Sequence, residues 1–322
     1  MKILVTGAAG FIGYHLCKRL YKGGADIVGI DSMNAYYDVA LKNMRLAELE
    51  KLKGFRFIKM DICDRQALFA LLKAEKFDAV CHLAAQAGVR YSIENPYTYV
   101  ENNVSGFLNV LEGCVQNSVP YLVYASSSSV YGRAEKQPFA ESMQVDTPVS
   151  LYAATKKADE LMAHVYSQMY GLPTVGLRFF TVYGPYGRPD MAYFKFAERI
   201  SAEREIELYN GGDMKRDFTY VDDVVSGIEK VLSAPYEGCP KYRIYNIGRG
   251  KPENLMEMVT LIEEGLGKKA KLVKKPMQKG DVLETFADIS ALRKDFGYEP
   301  KTDLAEGIPK FIEWFKGYKA KV

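Results

Sequence analysis

Short apolar runs alternate with longer segments of helical periodicity through the first 180 residues of the chain. The apolar runs have the length of buried strands, which predicts strands at 3–6, 27–31, 55–60, 79–83, 121–125 and 174–179. Between them apolar residues recur three and four positions apart, which predicts helices at 11–21, 39–52, 65–73, 97–116 and 151–170. This alternation is typical of an α/β fold, a doubly wound parallel sheet with helices on both faces.

The alternation weakens after residue 185, where loop signals such as the tripeptide NGG at 210–212 appear. We therefore predict a larger domain at 1–180, with a return segment near 218–248, and a smaller C-terminal substrate-binding domain formed mainly by 181–322. Ligands of such sheets collect at the carboxyl ends of the strands, so the residues that follow each predicted strand are the candidates for a site.

The composition of the chain indicates which partners, which cellular location and which metal content to expect. The 322 residues carry 43 basic and 40 acidic side chains, a formal net charge of +3, with the basic residues scattered, which indicates no nucleic-acid partner. The N-terminal apolar run has only the length of a strand and no stretch reaches about 18 apolar residues, so we expect a cytoplasmic protein without a membrane partner. Five cysteines without CxxC spacing and three isolated histidines offer no ligand set, so we expect no metal.

Three glycines, Gly7, Gly10 and Gly13, stand between the first predicted strand and the first predicted helix. A turn of this kind lets the backbone approach a pyrophosphate, whose charge is stabilised at the helix N-terminus. Asp31 ends the second strand, where a carboxylate would bind ribose hydroxyls and repel a 2′-phosphate, and the next residue is Ser32 rather than Arg. The pattern predicts a Rossmann domain that binds NAD in preference to NADP.

The remaining cofactor contacts are expected from the start of the first helix and from other strand ends at the same edge of the sheet. They are Phe11, Ile12, Asp61, Ile62, Leu83, Ala84 and Ala85, together with Tyr152 and Lys156.

Tyr152 and Lys156 stand four residues apart in a predicted helix, so they share a face. A phenol is a poor base at neutral pH, and a neighbouring lysine ammonium favours its ionised form. Tyrosine and lysine are both abundant here, so the spacing by itself also fits a structural pair. The glycine motif upstream favours a catalytic pair beside a cationic cofactor.

Several segments together resemble a known family. They are HLAAQAGVRYS at 82–92, ASSSSVYG at 125–132, LYAATKKA at 151–158, LRFFTVYGP at 177–185, GRPDMA at 187–192 and RDFTYVDD at 216–223. Over nearly its full length the chain resembles the extended short-chain dehydrogenases/reductases, in the branch of nucleotide-sugar epimerases and dehydratases. Within that branch it most resembles the UDP-glucuronate 4-epimerases.

The resemblance implies a mechanism and a substrate. Tyr152, as phenolate, would take the proton of the sugar C4 hydroxyl while the C4 hydride passes to tightly bound NAD⁺, and the hydride would return to the other face of a 4-keto intermediate. Ser127 would share hydrogen bonds to the C4 oxygen, and Lys156 would hold the nicotinamide ribose. The implied reaction is the reversible conversion of UDP-glucuronate to UDP-galacturonate.

Three hydroxyls distinguish this chain from close relatives. Dehydratases of the branch carry Asp-Glu where Ser128 and Ser129 stand here, decarboxylases of UDP-glucuronate carry a glutamate at the position of Ser129, and UDP-galactose 4-epimerases usually carry asparagine at Thr181. A hydroxyl can donate to a uronate carboxylate that an acidic side chain would repel. A UDP-glucose/UDP-galactose 4-epimerase and a UDP-glucuronate decarboxylase remain the alternative functions.

Arginines are the expected partners of the anionic groups, because a planar guanidinium matches phosphate and carboxylate. By the resemblance, Arg216 binds the nucleotide diphosphate and Arg90 lies within reach of the same anion. We expect Arg188 on the carboxylate side, with the diphosphate side as the alternative.

The apolar-rich helices 97–116 and 151–170 resemble the dimer interface of the family, so we expect a homodimer. An NAD sensor without catalysis and a scaffold protein are the readings from other classes.

Overall fold

A seven-stranded parallel sheet forms the centre of the computed structural model, which describes residues 1–134, 136–234, 241–277 and 283–320. The strands are β1 Lys2–Thr6, β2 Asp26–Asp31, β3 Phe55–Lys59, β4 Ala79–His82, β5 Leu122–Ser127, β6 Thr174–Phe179, β7 Thr181–Tyr183, β8 Glu205–Tyr209, β9 Lys215–Arg216, β10 Phe218–Tyr220, β11 Tyr242–Ile247, β12 Glu253–Asn254, β13 Lys271–Lys275 and β14 Glu284–Thr285. The central sheet has the order β11-β6-β5-β4-β1-β2-β3, and every pair in it is parallel.

Helices cover the sheet and continue into the C-terminal part. They are α1 Phe11–Lys22, α2 Val39–Leu49, α3 Arg65–Glu75, α4 Tyr91–Glu94, α5 Pro96–Tyr99, α6 Gly106–Gln116, α7 Leu151–Tyr170, α8 Ala192–Ser201, α9 Val221–Ser233, α10 Leu255–Leu266, α11 Ser290–Phe296 and α12 Leu304–Lys319. Short 3₁₀ turns lie at Ser128–Tyr131 and Asn210–Gly212, and a π-helical turn lies at Val100–Ser105. The predicted doubly wound α/β fold is confirmed.

All six predicted strands belong to the central sheet, each within two residues of its predicted bounds. The seventh strand, β11, comes from the segment near 218–248 and pairs with β6. The chain reverses direction of winding at β1, which pairs with β2 on one side and β4 on the other. The carboxyl ends of strands on either side of such a switch point open a crevice, which is where ligands of this fold bind.

Local signals explain where the longest helix begins and ends. Ser150 caps α7, because its side chain accepts a hydrogen bond from the backbone N–H of Ala153 at 3.1 Å. Gly171 ends the helix in the left-handed conformation, with φ of 66°. These caps fix the register of the helix that carries Tyr152 and Lys156.

The predicted helix 97–116 is interrupted. It consists of α5, the π-helical turn and α6. The π-helical turn has i→i+5 hydrogen bonds, so it holds one residue more than a turn of α-helix. The π-helical turn carries Asn103, which is buried; its Oδ1 accepts from the N–H of Gln86 at 2.8 Å, and its Nδ2 donates to Gln86 O and Thr155 Oγ1, each at 3.0 Å. The turn therefore ties the loop after β4 to α7.

The chain after residue 180 builds small sheets and a second apolar core. β7 pairs with β10, β9 lies between β12 and β14, and β8 pairs with β13. The core of this part is aromatic, and it includes Tyr193, Phe194, Phe311 and Phe315 from α8 and α12. Leu41 of α2 belongs to the same cluster, so the N-terminal and C-terminal parts share apolar contacts. The predicted domain bounds at 180 and 181 stay a prediction.

Candidate active site

A single cleft of about 1210 Å³ opens at the carboxyl ends of the central strands and extends to the C-terminal part. It is lined by every site residue predicted from the sequence. These are Gly7, Gly10, Phe11, Ile12, Gly13, Asp31, Asp61, Ile62, Leu83, Ala84, Ala85, Arg90, Ser127, Ser128, Ser129, Tyr152, Lys156, Thr181, Arg188 and Arg216. The structure thus brings together residues that lie far apart in the sequence.

The glycine loop fits a close backbone approach. Gly7 has φ of +71°, in the left-handed region, and a Cβ there would lie 2.9 Å from the N of Ala84. A Cβ at Gly13 would collide with the carbonyl oxygen of Gly7. Larger residues at either position would push the loop away from the start of α1, so this turn requires glycine for its shape and leaves backbone N–H groups at the N-terminus of a helix.

Thr6 and His82 organise the strand ends beside that loop, and sequence reasoning missed them. Thr6 Oγ1 lies 2.8 Å from His82 Nδ1 and accepts from the N–H groups of Leu83 and Ala84 at 3.2 and 3.0 Å. Burial, with the charge of Lys156 adding to it, lowers the pKa of His82 to about 3, so the imidazole is neutral. The pair holds the end of β1 against the end of β4 and positions Leu83 and Ala84, which line the cleft.

Asp31 has two partners that the sequence pattern did not indicate. Its Oδ1 accepts from the N–H of Met33 at 2.8 Å and lies 3.6 Å from Lys42 Nζ, which also donates to Asn34 Oδ1 at 3.0 Å. Both charged side chains are buried and both line the cleft. The carboxylate predicted to face a ribose is therefore part of an ion pair, and Lys42 reaches it from α2, where no motif marked it.

Tyr152 and Lys156 lie on the wall of the cleft formed by α7. The Tyr152 ring contacts the Tyr99 ring edge to face, with centroids 6.1 Å apart. Lys156 Nζ donates to the carbonyl oxygen of Ala125 and to Asp159 Oδ2, each at 3.0 Å. The predicted shared face is present, and Lys156 has an acidic partner three residues along the helix that sequence reasoning did not consider.

The serine run divides between the core and the cleft. Ser126 Oγ donates to Glu160 Oε1 at 2.6 Å, and the same carboxylate accepts from Nε and Nη2 of Arg178 at 2.8 and 2.9 Å. Ser127 Oγ accepts from the N–H of Ser129 at 3.2 Å and lies 3.1 Å from Ser129 Oγ. The buried ion pair thus fixes the end of β5, which presents Ser127, Ser128 and Ser129 along the cleft.

Arg188, in the segment after β7 that lines the cleft, forms a bidentate pair with Asp190. Its Nε donates to Asp190 Oδ1 at 3.0 Å and its Nη2 to Oδ2 at 2.5 Å, while Tyr36 Oη donates to Oδ2 at 3.3 Å. Burial opposes ionisation of Asp190, but Arg188 outweighs it and holds the pKa of that carboxyl below its ordinary value. Arg188 is therefore positioned by an anion of this chain, which sequence reasoning missed although Asp190 stands two residues away.

The two other predicted arginines lie in different surroundings. The guanidinium of Arg90 lies over the ring of Tyr209, 5.1 Å from its centroid. Arg216 is on β9, and its Nη1 donates to the carbonyl oxygens of Lys215 and Leu283 at 2.9 and 3.1 Å. Both line the same cleft, so this region carries positive charge that suits an anionic ligand.

Arg45 links the glycine loop to the segment that precedes Arg188. It is completely buried, and its guanidinium donates to the carbonyl oxygens of Ala9 in the glycine loop at 2.8 Å and of Tyr186 and Gly187, just before Arg188, at 2.7 and 3.2 Å. A charged group can be buried in this way because several carbonyl dipoles satisfy its donors. No sequence motif marked this residue.

The groups at the site allow acid–base chemistry on a hydroxyl and binding of an anion. Among residues 1–134, 136–234, 241–277 and 283–320, no cluster of three or more His, Cys, Asp or Glu side chains could hold a metal ion. In the same residues no helix has both the length and the apolar character that crossing a bilayer would need.

The chain resembles known proteins along its whole length. The model of the NAD dependent epimerase/dehydratase family matches residues 3–248. UDP-glucuronate 4-epimerase 2 of Arabidopsis thaliana is 46% identical over an alignment 333 residues long, gaps included. The alignment covers 99% of this chain and 76% of that protein.

Solved structures agree in fold as well as in sequence. UDP-glucuronic acid 4-epimerase from Bacillus cereus, in complex with UDP-glucuronic acid and NAD, has a TM-score of 0.92 at 34% identity, over 99% of this chain and 100% of that one. UDP-glucose 4-epimerase from Thermotoga maritima, with UDP-glucose, has a TM-score of 0.88 at 29% identity, over 99% and 100%.

Proposed function

The chain belongs to the NAD-dependent epimerase/dehydratase family, and from this premise we propose that it interconverts UDP-glucuronate and UDP-galacturonate by epimerisation at C4. The similarity to UDP-glucuronate 4-epimerases at 46% and 34% identity supports this substrate. The observation that carries the proposal is the position of Ser129, Thr181 and Arg188 in the same cleft as Tyr152. The cleft thus offers hydroxyls and a guanidinium as donors for a carboxylate, the group by which a uronate differs from a hexose.

The residues at one end of the cleft fit NAD⁺. The Gly7–Gly13 turn would accept the pyrophosphate at the N-terminus of α1, and Asp31 would bind the ribose of the adenosine. Asp61, Ile62, Leu83, Ala84 and Ala85 line the path between these groups and Lys156. When bound, NAD⁺ supplies a reversible hydride acceptor for C4 of the sugar, so the reaction needs no external oxidant or reductant.

The chain supplies the proton transfers. Tyr152 is the base that removes the proton of the C4 hydroxyl and returns it, and Lys156 supplies a nearby positive charge that favours the phenolate. Ser127, held by hydrogen bonds with Ser129, orients the C4 oxygen. Tyr152 and Ser127 would act on the bound sugar from α7 and β5, and Lys156 on α7 would hold the nicotinamide ribose.

Binding of the nucleotide sugar uses the opposite end of the cleft. Arg90 and Arg216 would bind the diphosphate, since both arginines line the part of the cleft formed by the C-terminal chain. Ser128, Ser129, Thr181 and Arg188 would bind the uronate carboxylate. Asp190 takes two of the five N–H donors of Arg188, so the guanidinium would be shared between the two carboxylates. On this view residues 1–180 and the segment near 218–248 bind NAD, and 181–322 mainly bind the nucleotide sugar.

Product analysis tests the proposal. The purified protein is incubated separately with UDP-glucuronate, UDP-galacturonate and UDP-glucose, and the products are resolved by chromatography and mass spectrometry. We expect UDP-galacturonate from UDP-glucuronate, and the reverse, without added NAD⁺. Conversion of UDP-glucose alone would assign a hexose 4-epimerase, release of UDP-pentose with carbon dioxide would assign a decarboxylase, and no conversion of any UDP-sugar would leave an NAD-binding protein without this activity.

We also propose that two copies form a homodimer. The side chains of Leu108 on α6 and of Leu161, Val165 and Met169 on α7 are exposed apolar groups on neighbouring helices. A second copy of the same helices would cover them symmetrically. Light scattering should give twice the mass of the chain, and Leu161→Glu should shift it to the monomer mass; a parent that is monomeric would contradict this. A cytoplasmic location and the absence of a nucleic-acid partner stay predictions of the sequence.

A further inference from the structure

Lys156 contacts the carboxylate of Asp159, which has no role in the proposed proton transfers or in binding of the sugar. Lys156 Nζ lies 3.0 Å from Asp159 Oδ2 and 3.0 Å from the carbonyl oxygen of Ala125. The two side chains are 2% and 1% exposed, so this is a buried ion pair within one turn of α7. Exposed pairs at this spacing are worth little, whereas removal of one partner of a buried pair leaves an uncompensated charge.

We propose that Asp159 is a positioning residue, which together with the carbonyl of Ala125 anchors the ammonium of Lys156 at the wall of the cleft. An ammonium has three N–H donors, and these two acceptors take two of them. The third donor remains for the cleft, which Lys156 lines. The kinetic consequence of this anchor rests on the proposed function, but the anchor itself does not.

The neighbouring carboxylate on α7 cannot take over this task. Glu160 accepts hydrogen bonds from Ser126 and from two nitrogens of Arg178, so its charge is already compensated. Asp159 differs, because its Oδ1 is buried without a hydrogen-bond partner among the residues that the structure describes. Its ionised form therefore depends on Lys156, and the two side chains depend on each other.

Protonation of Asp159 would weaken the anchor within the physiological pH range. Burial raises the pKa of Asp159 to about 7, although Lys156 acts to lower it. Glu160 on the same helix also raises the pKa of Asp159, and the phenol of Tyr124 on β5 interacts with Asp159, while His82 on β4 faces Lys156 and stays neutral with a pKa of about 3. As the pH falls through about 7, Asp159 takes up a proton and its charge-assisted bond to Lys156 is lost.

The first experiment needs no substrate. Protein as purified is labelled with ¹⁵N-lysine, and the ammonium signal of Lys156 is identified by its loss in Lys156→Gln. Exchange of ammonium protons with water is base-catalysed, so the signal of an exposed lysine is lost as the pH rises. An ammonium held by two buried acceptors exchanges slowly, so we expect the Lys156 signal to stay resolved at about pH 8. At that pH Asp159→Asn should broaden the signal, and Ser167→Ala, a buried change near the far end of α7, should leave it unchanged. An unchanged signal in Asp159→Asn would overturn the proposal.

The second experiment measures turnover of UDP-glucuronate against pH. The parent and Ser167→Ala should lose kcat as the pH falls through about 7, whereas Asp159→Asn should show a kcat about ten- to hundredfold lower without that acidic limb, and a smaller change in KM. A structural role would instead lower the melting temperature and leave kcat and the pH profile as in the parent, which would contradict the proposal. A parent without any turnover would reject the proposed function, and the ammonium signal would still decide the role of Asp159.

Discussion

The two ends of the cleft are built differently. At the end proposed for the cofactor, the shape comes from the backbone of the glycine loop and from buried side chains, Thr6 and His82 at strand ends and Lys156 on α7. At the end proposed for the sugar, charge comes from the pair of Arg188 and Asp190, whose side chains are 23% and 24% exposed.

This difference separates chemistry from specificity. Buried groups that hydrogen-bond to one another cannot move without losing those bonds, so the cofactor end is preorganised. A partly exposed ion pair can exchange one partner for another at small free-energy change, because water and the new anion replace what is lost. We therefore expect substitutions at the first end to change turnover, and substitutions at the second end to change which sugar is accepted.

The largest expected effect tests whether groups at the cofactor end of the cleft control turnover. Tyr152→Phe should lower kcat by about 10³-fold or more, because it removes the general base, while the protein keeps its bound NAD. Turnover is measured by product chromatography, and NAD is quantified after denaturation. Tyr170→Phe, an exposed tyrosine on the same helix, is the matched control. Activity of Tyr152→Phe near that of the parent would show that another group transfers the proton.

Arg45→Ala should break the connection between the glycine loop and the segment that precedes Arg188. It removes a buried guanidinium that donates to Ala9, Tyr186 and Gly187, leaving their carbonyl groups without those bonds. We expect a loss of about 3 kcal/mol in the free energy of unfolding, measured by urea titration. Arg45→Lys keeps the positive charge but not the planar guanidinium, so its free energy of unfolding should lie between those of the parent and Arg45→Ala. An Arg45→Ala protein as stable as the parent would mean that the loop and that segment are held together by other contacts.

Arg188→Ala tests the second half of the comparison. A 4-keto uronate is a β-keto acid, which loses carbon dioxide when the bond to the carboxylate aligns with the carbonyl group. Losing one charge-assisted bond should weaken the hold on the carboxylate by about 1.5 to 3 kcal/mol, which raises the ratio of UDP-pentose to UDP-galacturonate or weakens uronate binding. UDP-glucose serves as the internal control, because it lacks the carboxylate. Equal affinity and product ratio in variant and parent would exclude a carboxylate role.

Ser127→Ala should have a smaller effect on the chemical step. The serine orients an oxygen but does not take its proton, so we expect kcat to fall by about tenfold with the affinity for NAD unchanged. Ser127→Thr keeps the hydroxyl and should retain most of the activity. A loss as large as that of Tyr152→Phe would assign the proton transfer to Ser127 instead.

Removal of metal ions should have no effect. The proposed reaction uses NAD⁺ as the electrophile and the phenolate as the base, so dialysis against EDTA should leave the rate of UDP-glucuronate conversion as it was. A loss of activity that zinc or magnesium restores would contradict the mechanism at the first end of the cleft.

The sequence predicted the fold well because its signals are local. Strand runs, helical spacing and the glycine turn each depend on neighbouring residues, and all six predicted strands are in the central sheet. The bounds of β5 were predicted two residues too early at its carboxyl end, since Ser126 and Ser127 read as polar loop residues although they continue the strand. The small sheets after residue 180 were not predicted, because most of their strands are only two or three residues long and carry too little periodicity.

The site was predictable where a motif specifies it. Tyr152, Lys156, the glycines and the arginines were found from spacing or from the resemblance, and all line the cleft. Their partners were not found, since Lys42, Arg45 and Asp190 act through contacts that only the fold creates. Asp159 is an exception of another kind. It stands three residues from Lys156, at a spacing that places both on one side of a helix, but an acidic residue at that spacing is common on any solvated helix.

The geometry of the active site depends on how many residues the π-helical turn Val100–Ser105 contains. A π-helical turn holds one residue more than an α-helical turn, so deleting one residue there would restore a continuous α-helix with α5 and α6 in nearly their present orientation. The side chains inside the turn would change direction instead, and Asn103 would leave Gln86 and Thr155. In an alignment of related chains, a one-residue gap at this turn would therefore mark a change in the active site, even where every residue lining the cleft is identical.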